Sequence, residues 1–163
     1  MADPAGEQKE MSEKTEEAIS GLMIPLREAQ LLVPNVTVAE LVGYEPPQQV
    51  EDRPEWYLGH IIWRDQNIPL VSFEGANGDP FDPSQPSQRT VVLNGVSGQE
   101  ALPFYAVVVE GIPHAVRVGP EEAVPQDREL GACGAVMVHL SGEEALIPDL
   151  VKLETMILAA RQG

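Results

Sequence analysis

Trp56-Tyr57-Leu58-Gly59-His60-Ile61-Ile62-Trp63-Arg64-Asp65-Gln66-Asn67-Ile68-Pro69-Leu70-Val71-Ser72-Phe73 reads as two β-strands joined by a polar turn. Ile61-Ile62-Trp63 and Leu70-Val71 are short apolar runs of β-branched and aromatic residues, the composition that suits a pleated, half-buried surface. Asp65-Gln66-Asn67 supplies the expected turn, because Asp and Asn tolerate left-handed backbone angles and hydrogen-bond their own main chain.

On the N-terminal side, Leu22-Met23-Ile24-Pro25-Leu26 and Gln30-Leu31-Leu32-Val33-Pro34 predict a first hairpin, with Pro25 suggesting an edge strand. Val38-Ala39-Glu40-Leu41-Val42 reads either as a strand or as one to two helical turns capped by Asn35 or Thr37. On the C-terminal side, residues 75–89 form a long polar loop with Pro80, Pro83 and Pro86, a length expected to be functional or disordered. Strand signals then recur at Thr90–Asn94, Tyr105–Glu110, His114–Val118, Ala135–Leu140 and Ala145–Ile147, separated by Gly and Pro turns. Many short strands with this punctuation predict a mainly β sandwich or barrel. The chain closes on a helix: Asp149 is the N-cap, Leu150, Leu153 and Ile157 recur at helical spacing, and Arg161 suits the last turn. Residues 1–17 are polar and acidic without apolar periodicity and read as a flexible tail.

Composition narrows the function. The 163 residues carry a formal net charge of −16, with ten Lys and Arg. These form no basic stripe, so nucleic acid and anionic membranes are poor partners. Acidity maintains solubility and can steer the chain toward a basic partner surface. The single cysteine, Cys133, excludes an internal disulfide framework and fits a reducing compartment, as a small apolar filler rather than a reactive thiol. No apolar run reaches the roughly 18 residues of a membrane span, so a cytoplasmic location without membrane insertion is expected.

Chemistry is sparse. The chain lacks G-x-S-x-G, a Walker-type phosphate loop, H-E-x-x-H and C-x-x-C. His114, His139 and Cys133 have no zinc-site spacing, and the carboxylate pairs Glu121-Glu122 and Glu143-Glu144 sit in turns where solvation is the default. No catalytic residue, metal or cofactor is expected.

The spacing of Gly59, Arg64 and Pro69 resembles the signature hairpin of CheW-like chemotaxis coupling domains, where a glycine precedes apolar residues, Arg-Gly, Pro-Val and an apolar-Asp-Leu ending. Val38–Val42, the Tyr105–Val118 strand pair and Ala145–Leu150 resemble further family elements, so the likeness covers most of residues 22–158. Asp65 replaces the glycine after the arginine, Ser72-Phe73-Glu74 replaces the usual ending, and Glu110 stands for an aspartate. These departures suggest an accessory coupler, similar to those of pilus-based chemosensory systems. The resemblance implies two packed SH3-like five-stranded β-barrel subdomains with a C-terminal helix, spanning 18–163. It implies a non-enzymatic adaptor between a chemoreceptor's cytoplasmic tip and the regulatory domain of a CheA-type histidine kinase. Carried over by position, Val38, Glu40, Val42, Gly59 and Arg64 become the partner-binding residues, with Glu40 and Arg64 as a paired acid and base. The competing reading of Glu40–Arg64 is a fold-internal salt bridge. Trp56 and Trp63 are expected to pack inward. An alternative function is a small β-barrel ligand-binding module with a pocket of His60, Trp63 and Tyr105. An enzyme with an unrecognised site is a third reading.

Overall fold

The computed structural model describes residues 19–119, 124–126, 130–140 and 142–162. The acidic segment 1–17 and the Glu121-Glu122 pair lie outside the described residues.

The elements run β1 (Ile19–Pro25), β2 (Gln30–Pro34), a 3-10 turn (Asn35–Thr37), β3 (Val38–Gly43), β4 (Tyr57–Trp63) and β5 (Gln66–Val71). After them come α1 (Phe73–Ala76), β6 (Arg89–Asn94), β7 (Phe104–Val109), β8 (His114–Val118), β9 (Val124–Gln126), β10 (Gly134–Leu140), β11 (Glu143–Pro148) and α2 (Leu150–Gln162). They form two sheets, a five-stranded one in the order β3-β6-β7-β5-β4 and a six-stranded one in the order β8-β1-β2-β11-β10-β9. One subdomain is therefore continuous in sequence, and the other is assembled from both ends of the chain.

Strands buried on both faces place alternate residues in different cores. Met23, Leu32, Val138, Leu140 and Ala145 fill the six-stranded unit. Trp63, Ile68, Leu70, Val92 and Ala106 fill the five-stranded one. Their neighbours Ile24, Leu31, Val33, Val71, Val91, Leu93 and Val107 point the other way, into a shared core closed by Leu153 and Ile157 of α2. Trp56 also packs against that core, and Trp63 is buried, so both indoles turn inward. The helix begins where expected: the Asp149 carboxylate accepts the Lys152 N–H at 3.0 Å.

Several expectations change. The second sheet has six strands rather than five, because the three-residue β9, which has no apolar pattern, pairs with β10. β1 lies between β8 and β2 rather than at an edge, and Pro25 is tolerated as its final residue. Val38–Val42 is a strand, preceded by the 3-10 turn. β7 and β8 are consecutive but unpaired: β7 belongs to the five-stranded sheet and β8 pairs with β1. The crossover between them is anchored where the Glu110 N–H donates to Pro25 O at 3.0 Å. Ser72 ends the hairpin by capping α1, its Oγ accepting the Gly75 N–H at 3.1 Å.

Candidate functional site

The β4–β5 register pairs Trp63 with Gln66, leaving Arg64 and Asp65 as the two turn residues. Both have left-handed backbones, φ 47° and 62°, the geometry of a two-residue turn whose twist matches the strands it joins. Asp65 accepts this readily; for Arg64 the conformation costs about 1–2 kcal/mol. The turn therefore falls earlier than Asp65-Gln66-Asn67, because Gln66 and Asn67 are held in the β5 ladder.

The Arg64 guanidinium lies 4.6 Å from the centroid of the Trp63 ring, within cation–π range. Trp63 in turn packs on Phe104, ring centroids 4.8 Å apart. β3 supplies Glu40, whose Oε2 accepts the Trp63 Nε1–H at 2.7 Å and whose Oε1 lies 3.6 Å from Arg64. β3 and β4 are opposite edges of the five-stranded sheet, so these contacts cross the seam and draw the sheet into a barrel. The ion pair itself is open to water, its side chains 64% exposed for Arg64 and 39% for Glu40. Beside it runs a groove of about 300 Å³ whose lining is mostly apolar, Val42, Tyr44, Ile61, Ile62 and Trp63, with Glu45 and Thr90 among them. Ile62 is 68% exposed there.

Of the five residues carried over by position, Glu40, Val42 and Arg64 thus share one surface. Val38 sits at the start of the same strand, half-buried against the shared core. A bulge between Val38 and Glu40 separates them. Gly59 is buried within β4 at φ +143°, and a Cβ there would come within 2.2 Å of Gln48 O. Gln48 exchanges two backbone hydrogen bonds with His60, at 2.8 and 2.9 Å. The structure thus gives Gly59 a backbone role, letting the Pro47-Gln48 segment cover the outer edge of β4.

His60, Trp63 and Tyr105 do not converge. His60 bonds the Tyr57 hydroxyl at 2.8 Å, Trp63 belongs to the barrel interior, and Tyr105 lies in the shared core. Burial, with a smaller like-charge contribution from Arg161 and Arg53, lowers the His60 pKa.

One polar feature was missed. Glu154 on α2 is completely buried. Its carboxylate accepts the Val96 N–H at 2.9 Å, the Ser97 N–H at 2.9 Å, the Ser97 hydroxyl at 2.6 Å and the Tyr105 hydroxyl at 3.0 Å. Burial first, then Glu154, pushes the Tyr105 phenol up. A signal existed: Leu150, Leu153, Glu154 and Ile157 stand at positions i, i+3, i+4 and i+7, so Glu154 occupies the buried face. With four donors and complete burial, it is an anchor between α2 and the Gly95–Gly98 turn rather than a reacting group.

Cys133 is buried, its N–H donating to Asn77 Oδ1 at 2.7 Å, and burial pushes its thiol up to about 11, away from nucleophile chemistry. His114 and His139 are exposed on β8 and β10. Among the described residues, no three His, Cys, Asp or Glu side chains are grouped to hold a metal ion. Among them, too, no helix is long and apolar enough to cross a membrane.

The CheW-like domain family matches residues 20–156 of this chain. Among solved structures, the scaffolding protein TtCheW from Thermoanaerobacter tengcongensis superposes with a TM-score of 0.66 at 16% identity, covering 80% of this chain and 88% of that one. At that identity the likeness concerns the fold. No curated protein matches.

Proposed function

The chain belongs to the CheW-like domain family, and from that premise we propose that it is a non-enzymatic adaptor of bacterial chemosensory signalling. It couples a chemoreceptor's cytoplasmic tip to the regulatory domain of a CheA-type histidine kinase. The observation that carries this reading is the exposed Glu40–Arg64 pair beside the groove of Val42, Ile61 and Ile62. A charged ridge next to an apolar trough suits an amphipathic helix, whose apolar face fills the trough while its polar flank meets the ridge. The shared core holds the two barrels as one body, which is what an adaptor requires: two surfaces kept at a constant spacing. Interfaces of about 800 Å² per partner or less give reversible contacts that multivalent arrays reinforce. Val38, Glu40, Val42 and Arg64 form or border the binding surface, and Gly59 shapes its supporting strand.

The test is calorimetric titration of the full chain with the kinase regulatory domain and, separately, a receptor tip fragment, both from the same organism. Micromolar binding to either partner, weakened by Arg64→Ala while the melting temperature hardly moves, supports the adaptor. A folded protein that binds neither partner overturns it. Asp65 and Ser72-Phe73-Glu74, which depart from the usual hairpin, favour an accessory coupler of a pilus-type system. Such a coupler binds the tip of a pilus-system receptor more tightly than that of a flagellar one.

A further inference from the structure

A cleft of about 500 Å³ lies between the β3–β4 connection and the loop after α1, with Val108, Glu110 and Arg27 also lining it. Both rims are pinned. On one side, Gln48 is bridged to His60, and Arg53 Nη2 donates to Arg161 O of α2 at 2.9 Å. On the other, Arg27 Nη2 donates to Pro86 O at 3.1 Å, and Asp82 Oδ1 accepts both the N–H and the hydroxyl of Ser84. Phe81 packs against α1: a Cβ at Gly75 would come within 2.4 Å of its ring. The cleft is therefore preformed, which lowers the ordering cost of binding.

Its charge is unbalanced. Glu55, Glu74, Asp82 and Glu110 line it against Arg27 and Arg53. The Arg27 guanidinium is committed to Glu110, at 3.1 Å, and to Pro86 O. Among the described residues, the Arg53 guanidinium donates to backbone carbonyls through its two Nη atoms, and its buried Nε has no partner. Glu74, half-buried next to Gly75, accepts one long hydrogen bond, from the Arg27 backbone N–H at 3.3 Å. Among the described residues, no cationic side chain forms an ion pair with it. Burial raises its pKa, with Glu110 and Asp79 adding to the effect against Arg27. A half-buried carboxylate and an aromatic ring that line one preformed cleft of net negative charge make an environment a guanidinium can fill. It forks onto the carboxylate and stacks on the ring.

We propose that this cleft binds an arginine side chain presented by an extended segment of a partner protein, with Glu74 as the counter-ion and Phe81 as the stacking face. Extended peptide suits the site because the cleft lies between two loops and its volume of about 500 Å³ has room beyond one side chain. The −16 net charge of the chain steers a basic segment toward it. The cleft shares one lining residue, Tyr44, with the groove beside Glu40 and Arg64, and Glu74 and Phe81 line the cleft alone, so the proposal stands or falls separately from the adaptor reading.

The test uses the ¹⁵N-labelled full chain, titrated with the blocked peptide Ac-Ala-Arg-Ala-NH2, its citrulline counterpart and spermidine. The arginine peptide should shift the backbone amides of Glu74, Gly75 and Phe81. The citrulline peptide, isosteric and neutral, should bind roughly tenfold more weakly. Glu74→Gln and Phe81→Ala should each weaken the arginine peptide by about the same factor. No shifts at these amides, equal binding of the citrulline peptide, or indifference to Glu74→Gln in a chain whose remaining spectrum is unaltered would overturn the proposal. Spermidine binding as tightly as the peptide would overturn the peptide assignment in favour of a small polycation.

Discussion

Glu40 and Arg64 form one ion pair but hold different things. Arg64 is mostly solvated, so Arg64→Ala should cost about 0–1 kcal/mol, as exposed pairs do. Glu40 also accepts the indole N–H of buried Trp63. Glu40→Ala leaves that donor without a partner and should cost about 1–3 kcal/mol, while Glu40→Gln, which keeps an acceptor, should cost less. Chemical denaturation of the three variants checks the order; equal losses for Arg64→Ala and Glu40→Ala would mean that the indole bond contributes nothing. The pair is thus scaffold at its acidic end and surface at its basic end. His60 sets a pH dependence. Its pKa is lowered by burial and then by Arg161 and Arg53, so the unfolded chain holds the proton more readily. The stability it contributes is complete above its ordinary value of 6.5 and is lost as pH falls through that value toward the lower folded one. The melting temperature should therefore drop between about pH 7.5 and 5.5, and His60→Gln should flatten that slope. A slope unchanged in the variant would assign it to other groups.

At the scale of elements, β4 depends on a residue without a side chain. Gly59→Ala places a Cβ against Gln48 O at a φ that L-residues rarely adopt. The Gln48–His60 bridge must then break or β4 must shift. We expect a loss of about 1–3 kcal/mol and faster hydrogen exchange at the His60 amide, whose bond to Gln48 O is the one displaced. His60 exchange as slow as in the parent would show that the segment moves with the strand. The hairpin, both strands and the closing helix were legible from β-branched runs and from 3.6-residue spacing. The turn position was not, because a polar triplet does not reveal which two of its neighbours the strand ladder leaves free. The 3-10 turn ahead of β3 was equally hidden, since Asn35 and Thr37 suit a helix cap and a turn alike.

At the scale of the molecule, one core serves both sheets. Leu153 is completely buried in the cluster that joins strands of each sheet to α2. Leu153→Ala should therefore cost about 2–5 kcal/mol and destabilise both barrels together. Unfolding should be a single transition, with near- and far-ultraviolet circular dichroism coinciding in urea. Two separated transitions would mean that the barrels unfold independently. The Glu154 anchor strengthens this coupling, tying α2 to the turn after β6 through Val96 and Ser97 and to β7 through the Tyr105 hydroxyl.

By itself the sequence determined what local patterns can determine. Period-two runs and Gly/Pro punctuation set the mainly β class, the i, i+3, i+7 stripe set the helix, and the residue order of the hairpin carried the family resemblance. These signals are local because strand and helix periodicities are properties of neighbouring backbone units. Tertiary structure alone decided which sheet each strand joins, that β7 and β8 part company, that β9 adds a sixth strand, and that Glu40 reaches Trp63 across the barrel seam. Each of these rests on contacts between residues far apart in the chain, where burial and hydrogen-bond satisfaction choose among pairings that the local pattern leaves equal. The cleft around Glu74 is of the same kind: four segments build it, and none of them alone indicates that its carboxylate forms no ion pair among the described residues.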